Sequence, residues 1–298
     1  MAFFTYKSQI VLDFYISNLE ISSPQMMVYV VCSNETKKRS ETFINRWRSQ
    51  NLSMVEPILL PNNYSDIEHI PNVSSLINYN QFYENYDTYP TYEDWHVHFL
   101  LISKFLNAIQ HFLFETQANY IARITDDVFI NFPALPEFFI ELDTLKAQRD
   151  RHILVQAHCL DYFTILQGGS GFVLSREAAK VLYDTRDEFI RSVNIFEDWV
   201  LSYHIFKIHP DIAKTRSSRF IGHGFRFLHI PYQNHDYCPR YLVNSTCGRS
   251  FSPIKKVVFF HQIKNKIPIN FWEESLRLLP YDLMWYEKGD WIQLCFMR

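Results

Sequence analysis

The stretch ANYIARITDDVFINFPAL, Ala118–Leu135, sets two adjacent acids, Asp126 and Asp127, between apolar runs. Neighbouring carboxylates repel, and burying an unpaired charge is costly. The run before them, NYIARI, has the short β-rich character of a buried strand, so the acids fall at its C-terminal end. Successive residues at a strand end diverge. One carboxylate can therefore face a site while the other is held by hydrogen bonds. Oxygen ligands of this kind suit Mg²⁺ or Mn²⁺, and a turn or helix-capping pair before Asn131 and Pro133 is the competing reading.

Working outward, QMMVYVVCS (residues 25–33) reads as a buried strand, NETKKRSETFINRWRSQ (34–50) as a helix and MVEPILL (54–60) as a second strand. Residues 61–92 are polar and rich in Asn and Tyr, a long connection of the kind that carries function. From Glu93 to Phe114 the apolar residues Trp95, Phe99, Ile102, Leu106, Ile109 and Leu113 form a helical stripe. Then follow ALPEFFIELDTLK as a helix, HILVQAH and GFVLS as strands, REAAKVLYDTRDEFI as a helix, VVFFH as a late strand and NFWEESLRLL as a closing helix. Strands alternating with helices predict an α/β fold, a mostly parallel sheet covered by helices on both faces. Such sheets bind ligands at the carboxyl ends of their strands, where Asp126, Asp127 and His261 fall.

The 298 residues are 47% apolar and 17% aromatic, which excludes a disordered chain, and the net charge of −3 is scattered, so no basic face points to nucleic acid. No stretch approaches the roughly 20 apolar residues of a membrane helix, and the N-terminal segment makes a poor signal peptide. Yet there are five Asn-x-Ser/Thr sequons, at Asn34, Asn51, Asn63, Asn72 and Asn244, where roughly two are expected by chance. The excess favours a secretory lumen, and the lack of a visible signal favours the cytoplasm. Cys238 and Cys247 flank a polar loop and could close a disulfide or stay free.

Three further constellations carry chemistry. Gly168, Gly169 and Gly171 fall within LQGGSGFVLS although the chain has only seven glycines. They open a strand rather than follow one, unlike dinucleotide and phosphate-loop fingerprints, and suit a sugar or phosphate lying against the backbone, or a plain bulge. Glu197 and Asp198 open the amphipathic NIFEDWVLSYHIF, either as helix-dipole partners or as a carboxylate base. His261 closes VVFFH, as a packed histidine or as a partner to a carboxylate on a cation.

Taken in order, VYVVCSNETKKRSETFINRW (with Arg39 and Trp47 at matching positions), NYIARITDDVFIN, QGGSGFVLSREAAKVL, FEDWVLSYHI and VVFFHQIKNKIPINFWEES resemble the inverting β1,3-glycosyltransferases of GT-A fold that include Fringe and the core 1 galactosyltransferases. The similarity spans roughly residues 26 to 280. It implies a nucleotide-diphospho-sugar transferase fold, with one domain over 26–290, an N-terminal extension or stem remnant over 1–25 and a C-terminal tail over 291–298. It implies a UDP-sugar donor, a hydroxyl of a glycan or glycoprotein as acceptor, a β1,3 linkage and a Golgi location. Mn²⁺ (or Mg²⁺) would be held by Asp127 and His261, with Asp126 supporting the metal shell or ribose. Asp198 would be the general base and Glu197 the fallback. Val31, Ser33 and Arg39 would lie near uracil, ribose and diphosphate, and Gly168, Gly169 and Gly171 beneath the sugar. The chain departs from the pattern at Thr125, where the family commonly has an Asp, at Ser202, where it often has Gly, and at the bulky Trp199. A non-catalytic sugar- or partner-binding protein on the same fold is the alternative, and an unrelated metal-dependent hydrolase a third reading.

Overall fold

The structure is a computed structural model that describes residues 24–32, 36, 40–41, 44–45, 47, 54–60, 92–148, 152–156, 166, 169–187, 198, 201–202, 204–221, 228–229, 252–261, 274, 276–280, 283–288 and 291–296. Its elements run β1 (Met26–Val31), β2 (Val55–Leu60), α1 (Tyr92–Glu115), β3 (Tyr120–Thr125), β4 (Phe129–Ile130), α2 (Leu135–Gln148), β5 (Ile153–Gln156), β6 (Phe172–Ser175), α3 (Arg176–Asp184), β7 (Ala213–Arg216), β8 (Phe220–Ile221), β9 (Leu228–His229), β10 (Ser252–Pro253), β11 (Phe259–Phe260), β12 (Leu283–Lys288) and β13 (Trp291–Phe296).

The expected α/β architecture is present. The main sheet has six strands in the order β2-β1-β3-β6-β5-β7. All run the same way except β6, which is antiparallel to both of its neighbours. β1 is apolar at every position because both of its faces are covered. Met27, Tyr29 and Val31 pack with Phe105, Ile109 and Phe112 of α1 and Ala178, Ala179 and Leu182 of α3. Met26, Val28 and Val30 pack on the other face with Phe138, Phe139 and Leu142 of α2 and with Ile44 and Trp47. On α1 the helical stripe read from the sequence is correct at Ile102, Leu106 and Ile109, but Phe105 and Phe112 are fully buried as well, so the covered face is broader. The Arg176 guanidinium caps the end of α1 by donating to the carbonyls of Phe112, Leu113, Thr116 and Ala118. Those are groups a helix terminus otherwise leaves unsatisfied.

A second sheet, β4-β11-β8, stands at the carboxyl end of β3. Its assembly depends on Asn131, whose amide donates to the carbonyls of Lys255 (2.9 Å) and Val257 (3.0 Å) while its backbone N–H donates to Val258 O (2.9 Å). β11 thereby pairs antiparallel with β4, Phe260 opposite Phe129. Arg219 braces the same region, donating to Glu141 (2.7 Å) and to Lys256 O (3.0 Å).

Trp291–Phe296, read as tail, is strand β13, paired antiparallel with β12 in the sheet β10-β12-β13-β9. The pairing joins Lys288 to Trp291, so only Gly289 and Asp290 separate the two strands in sequence, a spacing that signals a hairpin. Cys32 is a free, buried thiol, as the apolar run around it suggests. Cys295 is disulfide-bonded, to a cysteine outside the described residues. The sequons, Cys238, Cys247 and residues 61–91 also lie outside them.

Two stability predictions follow from these contacts. Asn131→Ala leaves two carbonyls without their donor and costs about 1–3 kcal/mol, read as a lower thermal midpoint. His204, fully buried in a π-helical turn, has its pKa pushed down to about 4 by burial, with the neighbouring His209 adding to the effect. Because the unfolded chain binds that proton near the ordinary value of 6.5, the folded state loses stability as pH falls from about 6.5 to about 4. The loss is about 1.4 kcal/mol per unit of pH at most. Thermal midpoints measured across that window should fall for the native chain and fall less for His204→Gln.

Candidate active site

Asp126 and Asp127 are the two central residues of a β-turn that leaves β3, closed by Val128 N–H donating to Thr125 O at 3.2 Å. That turn explains how adjacent carboxylates coexist, since they leave it toward different neighbours. The Ser40 hydroxyl, in the helical segment after β1, lies 3.4 Å from Asp126 Oδ2 and 3.0 Å from its other acceptor, Thr36 O. Thr125, paired with Val31 in the sheet register, has its hydroxyl 2.6 Å from Asp127 Oδ1.

His261 arrives from the far end of the chain. The β4–β11 register, continued one residue, sets it opposite Val128, and its N–H donates to Ile221 O at 3.1 Å. Its Nε2 then lies 3.6 Å from Asp127 Oδ1, with both side chains mostly covered. Gly169 supplies the third wall: the Thr125 hydroxyl is 2.8 Å from its carbonyl oxygen, and a Cβ on Gly169 would stand 2.5 Å from His261 Nε2. A side chain here would push the imidazole aside, because the ring lies directly against the backbone. Gly171 is required for a different reason, a φ of +82° and a Cβ that would collide with the Arg123 carbonyl.

One carboxylate and one imidazole form a donor set suited to Mn²⁺, and a separation of 3.6 Å can be spanned by two bonds of about 2.1 Å. Among the described residues no group of three or more His, Cys, Asp or Glu side chains converges. The pair thus fits a hard cation that completes its shell with water and substrate phosphate rather than one caged by protein.

Of the other expected site residues, Val31 ends β1 beside Thr125, but its side chain is packed in the core, so only its backbone is available to a ligand. Asp198 is helical and half-buried. Its carbonyl accepts from the Ser202 hydroxyl, whose oxygen accepts from Leu166 N–H at 2.8 Å. Ser202, noted from the sequence only as a departure, therefore ties the Asp198 turn to the residues just before the glycine segment. Ser33, Arg39, Gly168, Glu197 and Trp199 lie outside the described residues.

Two buried cations were missed in the sequence. Lys104, 2% exposed, donates to Cys32 O at 3.0 Å, at the carboxyl end of β1, and Arg123, also 2% exposed, lies two residues before Thr125 on β3. The signal for Lys104 was present: a lysine between Ile102 and Phe105, in the apolar stripe of α1.

No family model matches the chain, and no curated protein matches it. Among solved structures it is similar to a crystal structure of a glycosyltransferase involved in the glycosylation of the major capsid of PBCV-1, at 12% identity and a TM-score of 0.38, over 86% of this chain and 100% of that one. A likeness of that size decides neither fold family nor function.

The two glycines separate folding from site geometry. Gly171→Ala should lower the thermal midpoint steeply, since backbone strain and a clash with a carbonyl cannot relax. Gly169→Ala should fold near-normally while displacing His261 from Asp127, lowering affinity for Mn²⁺ at least tenfold by calorimetric titration.

Proposed function

We propose that the protein is a metal-dependent inverting glycosyltransferase of GT-A type, moving a hexose or N-acetylhexosamine from a UDP-sugar to a hydroxyl of a glycan or glycoprotein, in a β1,3 linkage. The observation that carries this reading is the convergence of Asp127, His261 and Gly169 at the carboxyl end of the central strands, from segments far apart in sequence. Structural packing alone gives no reason to press a histidine against a side-chain-free backbone beside a carboxylate.

Asp127 and His261, with Asp126 beside them, would hold Mn²⁺ or Mg²⁺, which supplies Lewis-acid neutralisation of the departing diphosphate. Asp198 takes the proton from the acceptor hydroxyl. The acceptor oxygen then forms a bond to the anomeric carbon as the bond from that carbon to the diphosphate oxygen breaks, inverting the centre. By the family resemblance the glycine segment would lie beneath the sugar, the backbone at Val31 near the nucleotide, Ser33 and Arg39 would serve nucleotide binding, and Glu197 would be the reserve base. The disulfide at Cys295 and the surplus of sequons support a secretory lumen, and the Golgi within it follows from the family resemblance alone. Among the described residues no helix is long and apolar enough to cross a membrane.

UDP release from a panel of UDP-sugars, with Mn²⁺ and with or without acceptors, tests the proposal. Acceptor-dependent release should vanish with chelator and fall about 10²–10⁴-fold in Asp198→Asn, while UDP binding survives. Binding of UDP without turnover across the panels would favour a non-catalytic sugar-binding protein. Hydrolysis of phosphate esters without sugar transfer would favour a metal-dependent hydrolase.

A further inference from the structure

Resting on the cation site proposed above, we infer that Thr125 is a positioning residue that sets Asp127 for the cation and couples it to the glycine segment through one hydroxyl proton. Thr125 Oγ1 lies 2.6 Å from Asp127 Oδ1 and 2.8 Å from Gly169 O, the latter 44 residues away in sequence. A hydroxyl has a single hydrogen, whereas a carbonyl and an ionised carboxylate only accept. The proton therefore serves one acceptor at a time. The charged carboxylate makes the stronger bond, so with no cation bound the proton lies toward Asp127.

This bond has two consequences. Oδ1 is the oxygen facing both Thr125 and His261, while among the described residues Oδ2 accepts no hydrogen bond. The oxygen that faces His261 across the cation site, Oδ1, is thus the one the Thr125 hydroxyl holds in place. Threonine is β-branched and restricted in χ1, and it ends a strand paired to β1, so the clamp itself is stiff. A cation held by Asp127 would weaken the carboxylate's claim on the hydroxyl proton, leaving Gly169 O, 2.8 Å away, as the other acceptor. An aspartate at position 125, usual in the family the sequence resembles, would carry no proton to give when ionised and could play neither part. The departure at Thr125 is thereby a gain in positioning rather than a damaged ligand.

The closing experiment compares Thr125→Val, which keeps shape and removes the hydroxyl, with Thr125→Ser, which keeps the hydroxyl. Mn²⁺ alone is titrated by electron paramagnetic resonance, UDP affinity is measured at saturating Mn²⁺, and thermal melts report folding. Loss of a group that orients a metal ligand weakens metal binding roughly 10- to 100-fold. Thr125→Val should show that loss together with weaker UDP binding, and Thr125→Ser should stay within about threefold of the native chain. If Thr125→Val does not fold, Thr125→Ala replaces it in the comparison. Native Mn²⁺ affinity in the variant lacking the hydroxyl, or equal losses in both variants, overturns the role of Thr125 and leaves the cation site standing. Failure of the native chain itself to bind Mn²⁺ or Mg²⁺ overturns the cation site and this inference with it.

Discussion

The pairing of β4 with β11 is the constraint on which the site depends. Four residues of strand are a weak unit alone, and the pair is held by a buried side-chain amide. Asn131 fills two carbonyls of the incoming chain and fixes the register with its own backbone. A one-residue slip would exchange the faces of Phe259 and Phe260 and carry His261 away from the acidic turn. The ion pairs of Arg219 with Glu137 and Glu141 of α2 brace the neighbouring strand. The imidazole is thus located by ordinary sheet chemistry, and no special backbone conformation is needed to bring it to Asp127.

The acidic turn raises the question of how charge is tolerated at a sheet edge. Part of the answer is geometric, because the turn separates the carboxylates toward Ser40 and Thr125. Part is chemical, because each meets a hydroxyl and Asp127 also faces an imidazole. Lys104 on α1 and Arg123 on β3 are further buried cations on neighbouring elements. The glycines serve this arrangement in unlike ways. Gly171 turns the chain into the antiparallel strand β6, and Gly169 makes room for the ring of His261.

The main sheet was legible because burial on both faces leaves a continuous apolar run in β1, a pattern no surface strand needs. The acidic pair, the glycine cluster and His261 were legible as residue types in strand-end positions. The contribution of Ser202 was not, because a hydroxyl in a helix carries no periodicity and its partner, Leu166, lies 36 residues earlier. Phe105 and Phe112 were left off the buried face of α1 because that face is wider than a single stripe. The terminal hairpin was missed although its signal was present, in the two residues Gly289 and Asp290 between alternating runs.

The amino-acid sequence by itself determined the α/β class, the strand–helix order through the central sheet and the placing of acids, glycines and a histidine at strand ends, since local patterning dictates those. Only the tertiary structure decided that Asp127, His261, Gly169 and Thr125 meet, and that Val31 turns its side chain to the core. Such meetings depend on register and on hydrogen bonds between segments as far apart as Asn131 and Val258, and spacing along the chain carries no record of them.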